Sequence, residues 1–227
     1  MTDPALPGWF TPLLEVARTA GAADIIRFDP PPGEHRRSAV LLLFGEGPDG
    51  PDVLLTERAA SLRSHPGQVS FPGGGIEDGD AGPAAAAVRE AHEETGLDPA
   101  GVVVAGQFAD LYLPVSDHVV TPVLAWWRTP SPVRAADPAE VARAVRVPLA
   151  ELLDPASRFL VVHPSGYVGP GFRVRGLFVW GFTAGILDRV LALAGWERPW
   201  NQDRFEPLPE PPTLSRLEAE AVAEDVP

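Results

Sequence analysis

The sequence predicts an α/β (α+β) domain in which a mixed β-sheet packs between helices. Short apolar and β-branched segments recur along the chain and are separated by turns rich in glycine and proline. A helix is predicted over residues 83–95, because Pro83 suits its first turn and Gly96 suits the position just past its last. Strands interrupted by two or three helices are typical of a sheet covered by helices.

The other elements are predicted from local composition in chain order. Residues 7–20 form an amphipathic pattern and predict a short helix, which a proline-rich connection follows at 29–33. The remaining predicted strands include a hairpin of 38–44 and 53–56 with a turn at 45–52, and a second hairpin of 159–162 and 172–175. Further strands are predicted at 68–71, 102–110, 119–128 and 141–147. Two more helices are predicted, a short one at 148–153 and a long one at 177–194.

Composition excludes several classes of protein. The 227 residues suffice for one domain with a sizeable core. The chain has no cysteine, which rules out disulfides and thiolate chemistry. All 18 basic residues are arginine, so a phosphate-loop lysine and a Schiff base are also ruled out. The net charge of −13 argues against nucleic acid as a partner, because binding phosphates requires clustered cations.

Hydropathy indicates neither a membrane segment nor a secretory signal. The longest apolar runs, at 39–44 and 119–127, are far shorter than the roughly 20 residues that cross a bilayer. The first ten residues have no basic segment followed by an apolar one. We therefore expect a soluble, cytoplasmic protein.

Three glutamates on the predicted 83–95 helix carry the strongest chemical signal. Glu90, Glu93 and Glu94 lie three and four residues apart and therefore project within an arc of about 100°. Carboxylates this close repel one another, and Arg89 is the nearest cation in the sequence. A divalent cation such as Mg²⁺, which prefers oxygen ligands, relieves that repulsion. The alternative is a solvated helix face that happens to be rich in glutamate.

A glycine-rich segment precedes this helix. Residues 73–75 are all glycine, which permits close approach of the backbone to a ligand or metal. The backbone carbonyl of Gly74 is a candidate to complete a metal shell. The alternative is an ordinary turn.

Loop and helix together resemble the signature of the Nudix hydrolases, G-x5-E-x7-R-E-U-x-E-E-x-G-U with U apolar. Residues 89–97 satisfy the second half at every constrained position. The first half departs from the pattern. Counting from Gly75, the expected glutamate falls on Ala81; counting from Gly74, the acid is Asp80, one residue too far from Arg89. This displacement is itself a feature of the coenzyme A branch of the family.

A second resemblance indicates the same branch. Residues 54–75, LLTERAASLRSHPGQVSFPGGG, resemble the coenzyme A pyrophosphatase element LLTxR(S/A)xxLRxHxGQ(V/I)SFPGG at every fixed position. The resemblance implies a Nudix-type α/β/α sandwich with a mixed sheet over residues 35–195. An N-terminal helix and linker (1–34) precede this domain, and a tail rich in proline and glutamate (196–227) follows it.

The resemblance also implies the reaction: hydrolysis of the pyrophosphate bond of coenzyme A and its derivatives with Mg²⁺ or Mn²⁺. The products are 3′,5′-ADP and 4′-phosphopantetheine or its acyl form. Glu90 and Glu94 are the first-choice metal ligands, Glu93 is a third ligand or a base, and Arg89 orients the glutamates.

The coenzyme A element supplies the candidate substrate-binding residues. Arg58 and Arg63 suit bidentate recognition of phosphate. His65 either binds substrate or holds the loop by hydrogen bonding. Glu140 is interpreted as an exposed charge, with a general base as the alternative. Asp80 is expected to cap the helix rather than to join the metal shell through water.

Two other functions stay open from the sequence. A Nudix hydrolase acting on another nucleoside diphosphate compound, such as ADP-ribose or NADH, would use the same metal helix. A non-catalytic Nudix-fold binding module would be expected to lack one or more of the three glutamates, and all three are present. The expected partner is a small-molecule substrate, and a homodimer is possible.

Overall fold

The computed structural model describes residues 6–26, 30–62, 64–114 and 116–209. Within these residues no helix is long and apolar enough to span a membrane. The α-helices are Thr11–Thr19 (α1), Ala22–Ile25 (α2), Pro83–Thr95 (α3), Leu149–Leu152 (α4) and Gly181–Leu193 (α5). The strands are Arg36–Gly47 (β1), Gly50–Arg58 (β2), Val69–Ser70 (β3), Gly73–Gly75 (β4), Val102–Gln107 (β5), Leu111–Leu113 (β6), His118–Trp127 (β7), Val141–Pro148 (β8), Arg158–Val162 (β9), Val168–Val174 (β10), Leu177–Val179 (β11) and Phe205–Pro207 (β12).

Two mixed sheets organise the described residues. The larger runs in the order β3-β2-β1-β7-β5, with β4, β6 and β8 pairing with β1, β7 and β2 respectively. Its central pair, β1 and β7, is parallel, whereas β1 pairs antiparallel with β2 and β4. The smaller sheet has the order β11-β10-β9-β12, in which only the β9–β12 pair is parallel. The predicted fold class is confirmed.

Strand β1 explains why helices cover both faces of the larger sheet. Successive side chains of a strand point to opposite faces, and residues 39–44 are apolar without interruption. Leu41 and Leu43 belong to a buried cluster with Ala87 of α3. Leu42 belongs to the cluster on the other face, which also contains Leu13 of α1. A strand buried on both faces needs a helical layer on each side, which gives the α/β/α arrangement.

The predicted turn at 45–52, strand at 102–110 and helix at 177–194 differ from the elements observed, and the strand β5 ends already at Gln107. The β1–β2 hairpin continues to Gly47 and Gly50, so the turn is shorter than the predicted 45–52 segment. The helix predicted from Leu177 begins only at Gly181, because residues 177–179 form β11 and pair with β10. Positive φ angles at Arg175 (51°) and Gly176 (74°) make a tight hairpin turn there, and an apolar run alone does not distinguish strand from helix.

Both segments flanking residues 35–195 pack against this domain. Trp9 lies edge-on to Trp126 with ring centroids 5.6 Å apart. On the other side, the fully buried guanidinium of Arg158 bonds Glu197 at 3.1 Å and lies over the ring of Trp200. The segment after Trp196 then adds β12 to the smaller sheet. The rest of the predicted tail, 210–227, lies outside the described residues.

A charged histidine ties the proline-rich connection to the larger sheet. His35 Nδ1 lies 2.8 Å from a carboxylate oxygen of Asp117, and Nε2 lies 2.7 Å from the carbonyl oxygen of Pro31. Both partners accept hydrogen bonds, so the ring must carry two protons to satisfy them. The bond to Pro31, followed by that to Asp117, raises the pKa of His35 above its ordinary value. Tyr112 also donates to Asp117, at 3.0 Å.

The stability that His35 contributes should therefore depend on pH. It is fully present below the pKa of an unfolded histidine and is lost as pH rises through the raised pKa of the folded protein. We expect the Tm difference between the wild type and His35→Gln to be largest near pH 5.5 and to shrink towards pH 9. Thermal unfolding across this range measures it, with His163→Gln as the control. A difference that is constant with pH contradicts the prediction.

Candidate active site

Helix α3 places the glutamates because its opposite face is made of small residues. Ala86, Ala87 and Ala91 are completely buried and let the helix approach the sheet closely. The helix ends as predicted, with Gly96 in the left-handed region (φ 68°) donating its N–H to the His92 carbonyl at 2.7 Å. The acidic face is thereby fixed against the glycine strand β4.

The glycines of β4 are required by this close approach. A Cβ atom built on Gly73 would lie 2.3 Å from the carbonyl oxygen of Ala39 on β1. One built on Gly74 would lie 2.5 Å from the carboxylate of Glu90. Position 73 does not accept a side chain, because the clash is with the backbone, and a side chain at position 74 would have to displace the carboxylate of Glu90, which packs directly against the backbone.

Glu94 is the most deeply buried acid of the site, with 5% of its surface exposed. Its carboxylate accepts one hydrogen bond, from the Gly73 N–H at 3.1 Å. Burial raises the pKa of Glu94 to about 8, an effect that the Gly73 bond and the charge of Arg58 only partly offset. Burial also raises the pKa of Glu90, against the opposing effect of Arg89. The site therefore holds more buried carboxyl groups than its protein partners can keep ionised at neutral pH.

Every nitrogen of the Arg89 guanidinium is engaged. Nη1 donates to Glu90 and to Glu93, both at 3.0 Å. Nη2 donates to the carbonyl of Gly75 at 3.0 Å. Nε and Nη2 donate to the two carboxylate oxygens of Asp80, at 3.1 and 3.0 Å. Arg89 thus connects two glutamates of the helix to the glycine strand.

The position of Asp80 corrects the sequence interpretation. The residue that caps α3 is Gly82, and no side chain caps the helix. The Asp80 side chain, 7% exposed, instead accepts the Glu77 N–H at 2.9 Å and forms the bidentate pair with Arg89. These bonds lower the pKa of Asp80. Asp80 lies one residue farther from Arg89 in the sequence than the Nudix signature requires. It still reaches Arg89, because the 77–82 loop turns back towards the helix.

Of the candidate substrate-binding residues, Arg58 lies where β2 ends. A register shift between Glu57 and Arg58 interrupts the β2–β8 pairing, and such a bulge redirects the side chain. Arg58 lies close enough to Glu94 to lower its pKa, and its Nε is buried with no hydrogen-bond partner among the described residues. His65 Nδ1 lies 2.9 Å from the side-chain oxygen of Gln68. Arg63 lies outside the described residues.

Glu140 lies on the same side of the site. It is exposed, as the sequence interpretation assumed, and its carbonyl accepts the Ala59 N–H at 2.8 Å. Its carboxylate nevertheless contributes to the raised pKa of both Glu90 and Glu94. Glu140 is therefore a fourth acid near the glutamate cluster, contributed by a loop 46 residues after Glu94. Sequence spacing gives no signal for this proximity.

The carboxylates do not surround a common point in the observed arrangement. Over the described ranges, no group of three Asp, Glu, His or Cys side chains has metal-binding geometry. Glu90 and Glu93 instead share Nη1 of Arg89. For these two acids to bind an ion together with Glu94, their side chains must turn away from Arg89.

Comparison with known proteins defines the family. The model of the NUDIX domain matches residues 34–164. A Nudix hydrolase called NudL from Cronobacter sakazakii is 42% identical over 72% of this chain and 85% of its own length. NudL of Escherichia coli K12 is 41% identical over 70% and 82%; both are described as uncharacterized. The chain belongs to the Nudix hydrolase family. Among solved structures, the Nudix hydrolase RenU of M. smegmatis is 22% identical with a TM-score of 0.47, over 74% of this chain and 91% of its own.

The contacts of Asp80 predict that its carboxylate supports ion binding without touching the ion. Asp80→Asn removes the charge that pairs with Arg89, which frees Arg89 to hold Glu90 and Glu93 more tightly. We expect divalent-ion affinity to fall about 10-fold, as is usual when a residue supporting a metal ligand is lost. Titration calorimetry with Mn²⁺ measures this. Asp78→Asn, an exposed residue of the same loop, is the matched control, and equal affinities of the two variants would disprove the role of Asp80.

The burial of Glu94 predicts a pH-dependent stability. Its pKa of about 8 lies above that of an unfolded glutamate, so the folded state retains a proton that the unfolded state loses. In EDTA, stability should therefore fall as pH rises from about 4.5 to about 8. Glu94→Gln should remove this decline and be more stable at pH 8, by on the order of a few kcal/mol. Urea unfolding at pH 5.5, 7 and 8.5 measures it, with Glu93→Gln as control. An equally steep decline in Glu94→Gln would refute the prediction.

Proposed function

We propose that this Nudix hydrolase cleaves the pyrophosphate bond of coenzyme A and its derivatives with Mg²⁺ or Mn²⁺. The products are 3′,5′-ADP and 4′-phosphopantetheine, or its acylated form. Residues 54–75, which resemble the coenzyme A pyrophosphatase element, include Arg58, whose charge acts on Glu94, and the glycine strand, which contacts Glu90 and Glu94. The substrate proposal therefore rests in part on residues next to the glutamate cluster.

The position of Arg58 beside Glu94, with an unpaired Nε, is the observation that carries this proposal. Its buried Nε has no hydrogen-bond partner among the described residues, and an unpaired buried donor is costly. The phosphate oxygens of a pyrophosphate supply acceptors in the planar geometry that a guanidinium matches. In a chain with a net charge of −13, such a cation next to Glu94 is suited to recruiting an anionic substrate.

The donor set fits a hard divalent ion. Glu90, Glu93 and Glu94, with the Gly74 carbonyl as a further candidate, offer only oxygen atoms, which Mg²⁺ prefers. The raised pKa of Glu94 reflects burial that no neighbouring cation fully offsets, and a bound ion would remove that deficit. When bound, such ions lower the pKa of a coordinated water and stabilise the charge that develops on the phosphorus.

The protein residues divide the remaining tasks. Arg58 binds and orients the pyrophosphate, Arg63 is the other substrate-binding candidate, and His65 either binds substrate or holds the loop by hydrogen bonding. Water adds to one phosphorus, the bridging P–O bond breaks, and its electron pair leaves with the other phosphate. Glu93, which is half-exposed next to Arg89, accepts the proton of the attacking water. Glu140 is the alternative base, since its charge acts on Glu90 and Glu94. Without a bound ion, Arg89 holds Glu90 and Glu93 in register with the glycine strand, and ion binding requires both side chains to turn away from it.

A turnover comparison tests the substrate. With Mg²⁺ present, we expect kcat/KM to be higher for coenzyme A than for dephospho-coenzyme A, ADP-ribose or NADH, and mass spectrometry to detect 3′,5′-ADP. Arg58→Ala should lower kcat/KM for coenzyme A by about 100-fold, because a charged hydrogen-bonding group is lost from a buried site. Arg58→Lys should recover little of this loss, since lysine lacks the planar fork.

The control for the Arg58 variants is Arg18→Ala, because Arg18 is a cation of α1 on the opposite face of the sheet. Higher kcat/KM for ADP-ribose or NADH would instead support a Nudix hydrolase of another nucleoside diphosphate compound. Binding without turnover of any of the four compounds would support a non-catalytic binding module.

A further inference from the structure

The described residues of the loop between β2 and β3, 59–62 and 64–68, connect Arg58 of the candidate active site to β3. Its two ends are joined where Arg58 N–H donates to the Gln68 carbonyl at 2.9 Å. Immediately after the loop come β3 and then the glycine strand β4, which contacts Glu90 and Glu94. The conformation of the loop therefore affects Arg58 at one end and the glycine strand at the other.

A turn of four residues, His65 to Gln68, forms the second half of this loop. Gln68 N–H donates to the His65 carbonyl at 3.3 Å, and Gly67 has a φ of 66°. Proline followed by glycine at positive φ is the combination that a type II turn requires. Pro66 and Gly67 thus determine the turn by local chemistry alone.

Within this turn, the backbone of His65 has an energetically unfavourable conformation. Its φ is 57°, in the left-handed region that few non-glycine residues adopt. It also precedes Pro66, whose ring restricts the backbone of the residue before it. A conformation of this kind persists only when other interactions hold it. The interaction observed is the 2.9 Å contact between His65 Nδ1 and the side-chain oxygen of Gln68, in which a proton on Nδ1 makes His65 the donor.

We propose that His65 and Gln68 form a clamp that positions Arg58 for substrate, and that His65 is a positioning residue rather than a substrate ligand. The side chains of His65 and Gln68 close the turn, and the backbone carbonyl of Gln68 accepts a hydrogen bond from the Arg58 N–H. The Nδ1 atom of His65 is already occupied within the protein. Only the effect on substrate rests on the proposed function; the clamp itself does not.

The clamp predicts how four variants compare. His65→Ala and Gln68→Ala each remove the contact, and we expect KM for coenzyme A to rise about 5- to 10-fold, as for one lost hydrogen bond, with kcat within twofold of the wild type. The double variant should be no worse than either single one, because both lose the same interaction. His65→Asn should recover most of the KM, since asparagine tolerates positive φ and retains a donor. His163→Ala and Gln202→Ala, remote from the loop, are the controls.

Hydrogen exchange measures the clamp without substrate. The amides of residues 64, 65, 67 and 68 should exchange faster in His65→Ala and in Gln68→Ala, and to the same extent in both. This result is expected even if coenzyme A is not hydrolysed, so failure of the substrate proposal and failure of the clamp are distinguishable.

Three results would overturn the clamp. One is unchanged exchange in both variants. Another is a double variant whose KM increase is the product of the two single increases. The third is a loss of kcat in His65→Ala that Gln68→Ala does not share, which would show that His65 itself touches the reacting groups.

Discussion

The close contact between helix α3 and the glycine strand is the constraint on which the site depends. Three buried alanines let the helix approach the sheet, only glycine fits at position 73, and a side chain at position 74 would displace the carboxylate of Glu90. The same contact buries Glu94 and gives it a single backbone donor. Burial disfavours the ionised form of Glu94, and a divalent ion between the carboxylates would supply the positive charge that stabilises it.

Elements with their own local signals were predictable from the sequence. Pro83 and Gly96 mark the ends of α3, and the structure has the helix between the same residues. The elements that differ lacked such signals. Residues 177–179 form a strand because β10 is there to pair with them, and an apolar run does not encode that partner.

The site was predictable to the extent that its residues share one helix. The spacing of Glu90, Glu93 and Glu94 indicates a common face, whereas the shared Nη1 contact of Arg89 and the burial of Glu94 are tertiary facts. Asp80 shows the limit of such reasoning. Its position before a helix suggests a cap, but the turn of the 77–82 loop brings it to Arg89 instead.

Arg58 and Arg89 show why residue type alone does not assign a role. Every nitrogen of Arg89 is bonded within the protein, so this side chain organises the acids and has no donor to spare for substrate. Arg58 lies beside the same acids with a buried Nε that has no partner in the described part of the chain. The first arginine lowers the repulsion among the acids. We propose that the second binds a substrate phosphate, because its guanidinium keeps its charge and an anion beside it would be stabilised.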